Sequence, residues 1–161
     1  MKYWLLKSEP DVFSLEDLKN CPNQTEPWDG IRNYQARNLM RDEMQVGDQA
    51  FFYHSRQAEP AIVGTVRVVR EAYPDHTSWD PSSRYFDEKS SPENPRWLMV
   101  DVQFESGFSR PVTLEELRSI PELKEMFLLR KGMRLSVQPV TPDEFKKVLK
   151  LARRPGSGKK S

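Results

Sequence analysis

The scarcities of this chain narrow its chemistry before any motif is read. It has one cysteine, Cys21, so no intramolecular disulfide forms and a reducing compartment is the simple reading. Two histidines, His54 and His76, fall short of the spaced His and Cys sets that hold zinc. Its seven glycines stand singly and match neither GxGxxG nor GxxxxGKS/T, so no glycine-rich loop cradles a phosphate. Nothing like GxSxG marks a nucleophile. No apolar run approaches the roughly 18 residues that span a bilayer, and the opening MKYWLLKSEPD carries acids where a signal peptide needs small residues. The expectation is a soluble, cytoplasmic chain with no metal, no cofactor and no membrane partner, with a monomer favoured.

A strong charge of one sign is missing as well. The net charge of +1 hides an uneven distribution, because Lys150, Arg153, Arg154, Lys159 and Lys160 stand near the end without an acid. Residues 1–149 then carry 20 cations against 24 acids. Coating a duplex requires an extended basic face, so any contact of the body with nucleic acid should be local.

What is present reads as one domain over residues 1–152 followed by a disordered basic tail over 153–161. KYWLLK and QAFFYH have the aromatic and aliphatic content of strands, AIVGTVRVVREAY is β-branched over a longer span, and Leu98, Val100, Val102 and Phe104 alternate with polar residues. On strand alternation, Ile62, Gly64, Val66 and Val68 are expected to share one face. Ser14 with Asp17, Thr113 with Glu116 and Thr141 with Glu144 have capping-box spacing and mark helix starts. Asn33 is an N-cap candidate for a helix from Tyr34 to about Met44, and PELKEMFLL reads as a further helical piece. Strands and helices in this order imply an α+β fold of about five to six strands, a small curved sheet or partly closed barrel with peripheral helices. Between the middle strands lies PDHTSWDPSSRYFDEKSSPENP, polar and aperiodic; loops of such length are usually functional or disordered.

The residue types that converge on one chemistry are those of a recognition pocket. Trp28, Tyr34, Tyr53 and Trp79 lie in loops or at strand ends, where aromatic faces are available for stacking on a flat ligand. Ser8, Asn33, His54 and Ser55 are short donors and acceptors able to read a base edge, while Arg32, Arg37 and Arg41 suit flanking phosphates. Each also has an ordinary reading: Asn33 as a cap, Trp28 as a loop plug, His54 as a structural histidine, Arg37 and Arg41 as a solvated face. The inference rests on the cluster.

Six blocks carry a resemblance: YWLLKSEP at 3–10, WDGIRNYQARNLMRDEMQVGD at 28–48, FFYHS at 51–55, IVGTVRVVREAYPD at 62–75, PRW at 95–97 and RLSVQPVT at 134–141. Together they resemble the EVE domain family in its stand-alone bacterial form. That resemblance implies a PUA-like mixed β-barrel flanked by helices. It also implies a nucleic-acid-binding module, not an enzyme, whose pocket takes a flipped modified base, with modified cytosine in DNA favoured over RNA. Carried over by motif, the pocket comprises Lys7, Ser8 and Glu9; Trp28, Arg32, Asn33 and Tyr34; Tyr53, His54 and Ser55; and Arg134, Leu135 and Ser136 at the rim. Trp79 and Tyr85 come from the more variable loop, and Arg37 and Arg41 form the expected phosphate rim. Two rival readings use the same pocket: a metal-free enzyme on a nucleotide-like substrate, with His54 or Glu9 as general base, and a sensor of a free nucleoside.

Overall fold

A computed structural model describes residues 1–153, so the expected tail, apart from Arg153, lies outside the described residues. Six strands form one mixed sheet: β1 (Tyr3–Ser8), β2 (Thr25–Pro27), β3 (Gln49–His54), β4 (Ala61–Pro74), β5 (Leu98–Thr113) and β6 (Val137–Val140). Their order is β2-β5-β4-β3-β1-β6. Only β1 and β3 run parallel; the other neighbours are antiparallel. Four helices flank the sheet: α1 (Leu15–Lys19), α2 (Tyr34–Asp42), α3 (Leu114–Arg118) and α4 (Pro142–Arg153). This is the α+β, PUA-like arrangement expected. Among the described residues no helix is long and apolar enough to cross a membrane.

The helix starts follow the capping chemistry of the sequence. Ser14 and Asp17 exchange both bonds of a capping box at α1, and Thr141 and Glu144 do the same ahead of α4. Asn33 Oδ1 accepts from Ala36 N at 2.9 Å and opens α2. PELKEMFLL, expected to be one helical piece, forms two separate 3₁₀ turns, Pro121–Leu123 and Phe127–Leu129. Its buried residues Leu123, Met126 and Leu128 are spaced in a way no single helix face accommodates. The short β2 pairs Thr25, Glu26 and Pro27 with Gln103, Val102 and Asp101 of β5.

Strand alternation splits the apolar residues between two cores. Trp4 and Leu6 of β1, Ala50 and Phe52 of β3, and Val100 and Val102 of β5 meet α1 and α2 on one face. Leu5, Phe51 and Tyr53 meet α3, α4 and the 3₁₀ turns on the other. The expectation that Ile62, Val66 and Val68 share a face fails. Ile62 joins the second core, Val66 and Val68 the first, because β4 carries one extra residue, Val63, between Ile62, which pairs with Tyr53, and Gly64, which pairs with Phe52. Such a bulge reverses the parity of the strand beyond it and bends the sheet. A Cβ on Gly64 would lie 2.3 Å from the Ser106 carbonyl, so the strands approach there as closely as they do only with glycine.

Candidate functional site

The site grows from a knot between two segments far apart in sequence. Asp75 is fully buried, and its carboxylate accepts from Gly30 N at 3.0 Å, Arg32 Nη1 at 3.1 Å and Thr77 N at 2.9 Å. Arg32 also donates to the Tyr85 carbonyl through Nε at 2.9 Å and Nη2 at 2.6 Å. Residues 28–34 are thereby fastened to the long polar loop, which is ordered along this wall. Gly30 has φ +81°, and a Cβ there would fall 2.7 Å from the Tyr85 ring. Only glycine lets that ring lie directly on the backbone.

Between this wall and the C-terminal end of β1 lies a cavity of about 490 Å³, within the roughly 300–1,000 Å³ typical of small-ligand sites. Lys7, Ser8 and Glu9 line it from β1 and the turn beyond, with Val12 and Phe13 beside them. The run Glu26 to Ile31, then Arg84, Tyr85 and Ser136, complete it. Trp28 is held edge-to-face by Phe52, at 5.5 Å between ring centroids, and by Phe13 at 6.2 Å, so this wall is aromatic and fixed. Burial draws the Lys7 ammonium below its ordinary value. The Asp29 carboxyl is raised, first by burial and then by Asp75 and Glu26, against a smaller opposing pull from Arg32.

A second, more open cavity of about 560 Å³ adjoins the first across Arg84 and Tyr85, which line both. Its other walls are Arg32, Phe86, Asp87, Glu88 and Trp97. Trp97 donates to Asp87 Oδ2 at 2.7 Å and carries Tyr34 stacked at 4.6 Å. The Arg37 guanidinium sits 4.7 Å above the Tyr34 ring, and Arg96 donates to the Tyr34 hydroxyl at 2.9 Å. Phe86 is 44% exposed and Tyr34 48%, so this is a solvent-facing surface of arginines and rings.

Of the residues expected in a pocket, the fold brings Lys7, Ser8, Glu9, Trp28, Tyr85 and Ser136 to the first cavity and Arg32 to the second. The others go elsewhere. Tyr53 is 3% exposed in the second core, on the opposite face of the sheet. His54 Nε2 accepts from Leu15 N at 3.1 Å and joins β3 to α1; burial lowers its pKa, with Asp17 opposing. Asn33 caps α2, and Tyr34 lies on Trp97. Ser55 N donates to the Ser8 carbonyl at 2.9 Å, which places it behind the cavity wall. Leu135 is buried in the first core, Arg134 is exposed, and Trp79 closes the 3₁₀ turn His76–Trp79 without lining either cavity. Arg37 donates to the Arg96 carbonyl and to Asn38 Oδ1, and Arg41 pairs with Asp42 on the surface.

Sequence reasoning passed over Phe13, Glu26, Asp29, Gly30 and Arg84, all of which line the first cavity. The signal for two of them was available: Asp29-Gly30 follows Trp28 directly, and a glycine of positive φ beside an aromatic marks a close approach. Arg84 sits in the long loop, where its position depends on Arg32 holding the Tyr85 carbonyl.

The same architecture recurs in known proteins. A family model described as EVE domain matches residues 2–151. Thymocyte nuclear protein 1 of Danio rerio is 50% identical over 92% of this chain and 71% of its own length. A crystal structure of human THYN1 protein in complex with 5-methylcytosine containing DNA superposes with a TM-score of 0.90 at 44% identity, covering 97% of this chain and all of that one. A protein of Pseudomonas syringae gives 0.88 at 45% identity, covering 93% and 99%. With the match running from β1 into α4, and so through every strand that shapes the cavity, this chain belongs to the EVE domain family.

Proposed function

We propose that residues 1–152 form a DNA-binding module that reads a modified cytosine, turned out of its strand, in the 490 Å³ cavity. The observation that carries this is the cavity itself: an aromatic wall of Trp28, Phe13 and Tyr85, polar groups from Ser8 and Asp29, and two cations, Lys7 and Arg84. It lies in a chain with the fold of a relative that binds 5-methylcytosine containing DNA. Turning a base out costs a few kcal/mol of stacking, and an aromatic wall returns about 1–3 kcal/mol per base. A 5-methyl group adds apolar contact against such a wall. A binding role is supported by the two candidate general bases: His54 spends Nε2 on Leu15 N–H and does not line the cavity, and Glu9 faces Arg56 at 3.7 Å. The single free cysteine and a DNA partner support an intracellular setting.

Fluorescence anisotropy with duplexes that differ only in one central base, 5-methylcytosine or cytosine, tests the reading. The expected preference is about tenfold, the scale of one methyl group in an apolar pocket. Tyr85→Ala should weaken 5-methylcytosine binding by about tenfold or more. Arg84→Ala should reduce the slope of log affinity against log salt by about one. Equal affinity for the two bases in the wild-type protein overturns the proposal.

A further inference from the structure

The polar groups of the first cavity are unequal in what they have left to offer a ligand. Four carboxyls stand at or behind its wall: Glu9, Glu26, Asp29 and Asp75. Asp75 is saturated by Gly30, Arg32 and Thr77. Glu9 faces Arg56 at 3.7 Å, and Glu26 accepts from the Cys21 thiol at 3.6 Å. Asp29 is half-buried and, among the described residues, accepts from no side chain and forms no ion pair; its one local donor is its own backbone N–H. Burial and two neighbouring carboxyls raise its pKa, the condition of an acceptor short of donors. Arg32, the cation that acts on its charge, is committed to Asp75 and the Tyr85 carbonyl, and among the described residues neither Lys7 nor Arg84, the cations lining the cavity, forms an ion pair with it.

Resting on the base-reading role proposed above, we infer that Asp29 is the specificity-determining residue that accepts the exocyclic amine of an amino-bearing pyrimidine and rejects the keto edge of thymine or uracil. Cytosine presents an N4 amine, which carboxylates accept, where thymine presents an O4 lone pair. A flipped base is read along this edge. An O4 aimed at Asp29 would set two acceptors against each other in a half-buried site and leave both without a proton between them. An N4 amine supplies the missing donor.

The test uses the intact chain and duplexes carrying one probe base opposite an abasic position, so that no base pair has to be broken for any probe. 5-Methylcytosine and thymine share the 5-methyl group and differ at the edge; cytosine and uracil repeat the comparison without the methyl. The wild-type protein should bind 5-methylcytosine about tenfold to a hundredfold more tightly than thymine, and cytosine more tightly than uracil by a similar ratio. Asp29→Asn, which presents an amide N–H to O4 equally well, should bring both ratios to within about twofold of one. Glu26→Gln should leave them near wild type. Should Asp29→Asn fail to fold, Asp29→Glu moves the carboxyl out by one methylene and should lower the same ratios. Wild-type ratios near one, or ratios that survive a change at Asp29 in a folded protein, overturn the inference. A missing preference for 5-methylcytosine over cytosine would instead count against the base-reading proposal, and the cytosine to uracil ratio would still score Asp29 on its own.

Discussion

The two faces of the sheet use the same strands and end differently. On the face covered by α3 and α4, packing is complete: Phe145 stacks on both Phe51, at 4.2 Å, and Tyr3, at 4.4 Å. Val148, Leu151, Leu117 and Leu123 fill the space around them. The face covered by α1 and α2 is packed as tightly at its centre, through Trp4, Phe52 and Met40, but opens at the end of β1 into the cavity walled by Trp28 and Tyr85. One face is therefore scaffold throughout, and the other changes from scaffold to site over a few residues. The lesson is that the site occupies the place where strand pairing ends and loops take over the wall, so stability and binding should respond to different substitutions.

The largest test of that separation is Phe51→Ala. It empties the centre of the closed face and should cost about 3–5 kcal/mol in urea unfolding. Affinity of the folded protein for 5-methylcytosine DNA should stay within about twofold of wild type. Gly30→Ala is the converse. A Cβ at positive φ and 2.7 Å from the Tyr85 ring must displace that ring, at a cost of about 1–3 kcal/mol in stability, and affinity should fall by about tenfold or more because the wall moves. If Gly30→Ala changed stability alone, the wall would be no part of the site.

The smallest effect sharpens the boundary between the two regions. His54 Nε2 must be unprotonated to accept from Leu15 N, and burial lowers its pKa below the ordinary value of about 6.5. The unfolded chain therefore holds this proton more tightly than the folded one. Stability from this group is complete above about pH 6.5 and is lost as pH falls from there towards the depressed folded value. The loss amounts to about 1 kcal/mol, one hydrogen bond. In denaturant melts at pH 5 to 8 the wild-type protein should show this slope and His54→Gln should lack it. DNA affinity at pH 7.5 should be the same in both proteins.

These comparisons also show how far the sequence could be read. Capping boxes and strand alternation are local, and Ser14 with Asp17, Asn33, and the β1 and β3 segments all appear in the structure as spaced. The KSEP and Trp28 blocks line one cavity. The FYHS block illustrates the limit. Tyr53 and His54 are consecutive on a strand, so period-two geometry sends them to opposite faces and only one of them lies near the site side. Arg32 looks like a phosphate ligand in sequence and serves in the structure as a strut between Asp75 and Tyr85, contacts 43 and 53 residues away that no local pattern encodes. Asp29 is marked in the sequence only by its place between Trp28 and a glycine of positive φ, Gly30.

The Asp75 knot has a kinetic consequence. Because Gly30, Arg32 and Thr77 are bonded to it before any ligand arrives, the wall's ordering entropy is spent during folding rather than on encounter. On the proposed function, a base that leaves its strand would meet a finished surface. Discrimination between bases should then be expressed in residence time, with right and wrong bases entering at similar rates and leaving at different ones.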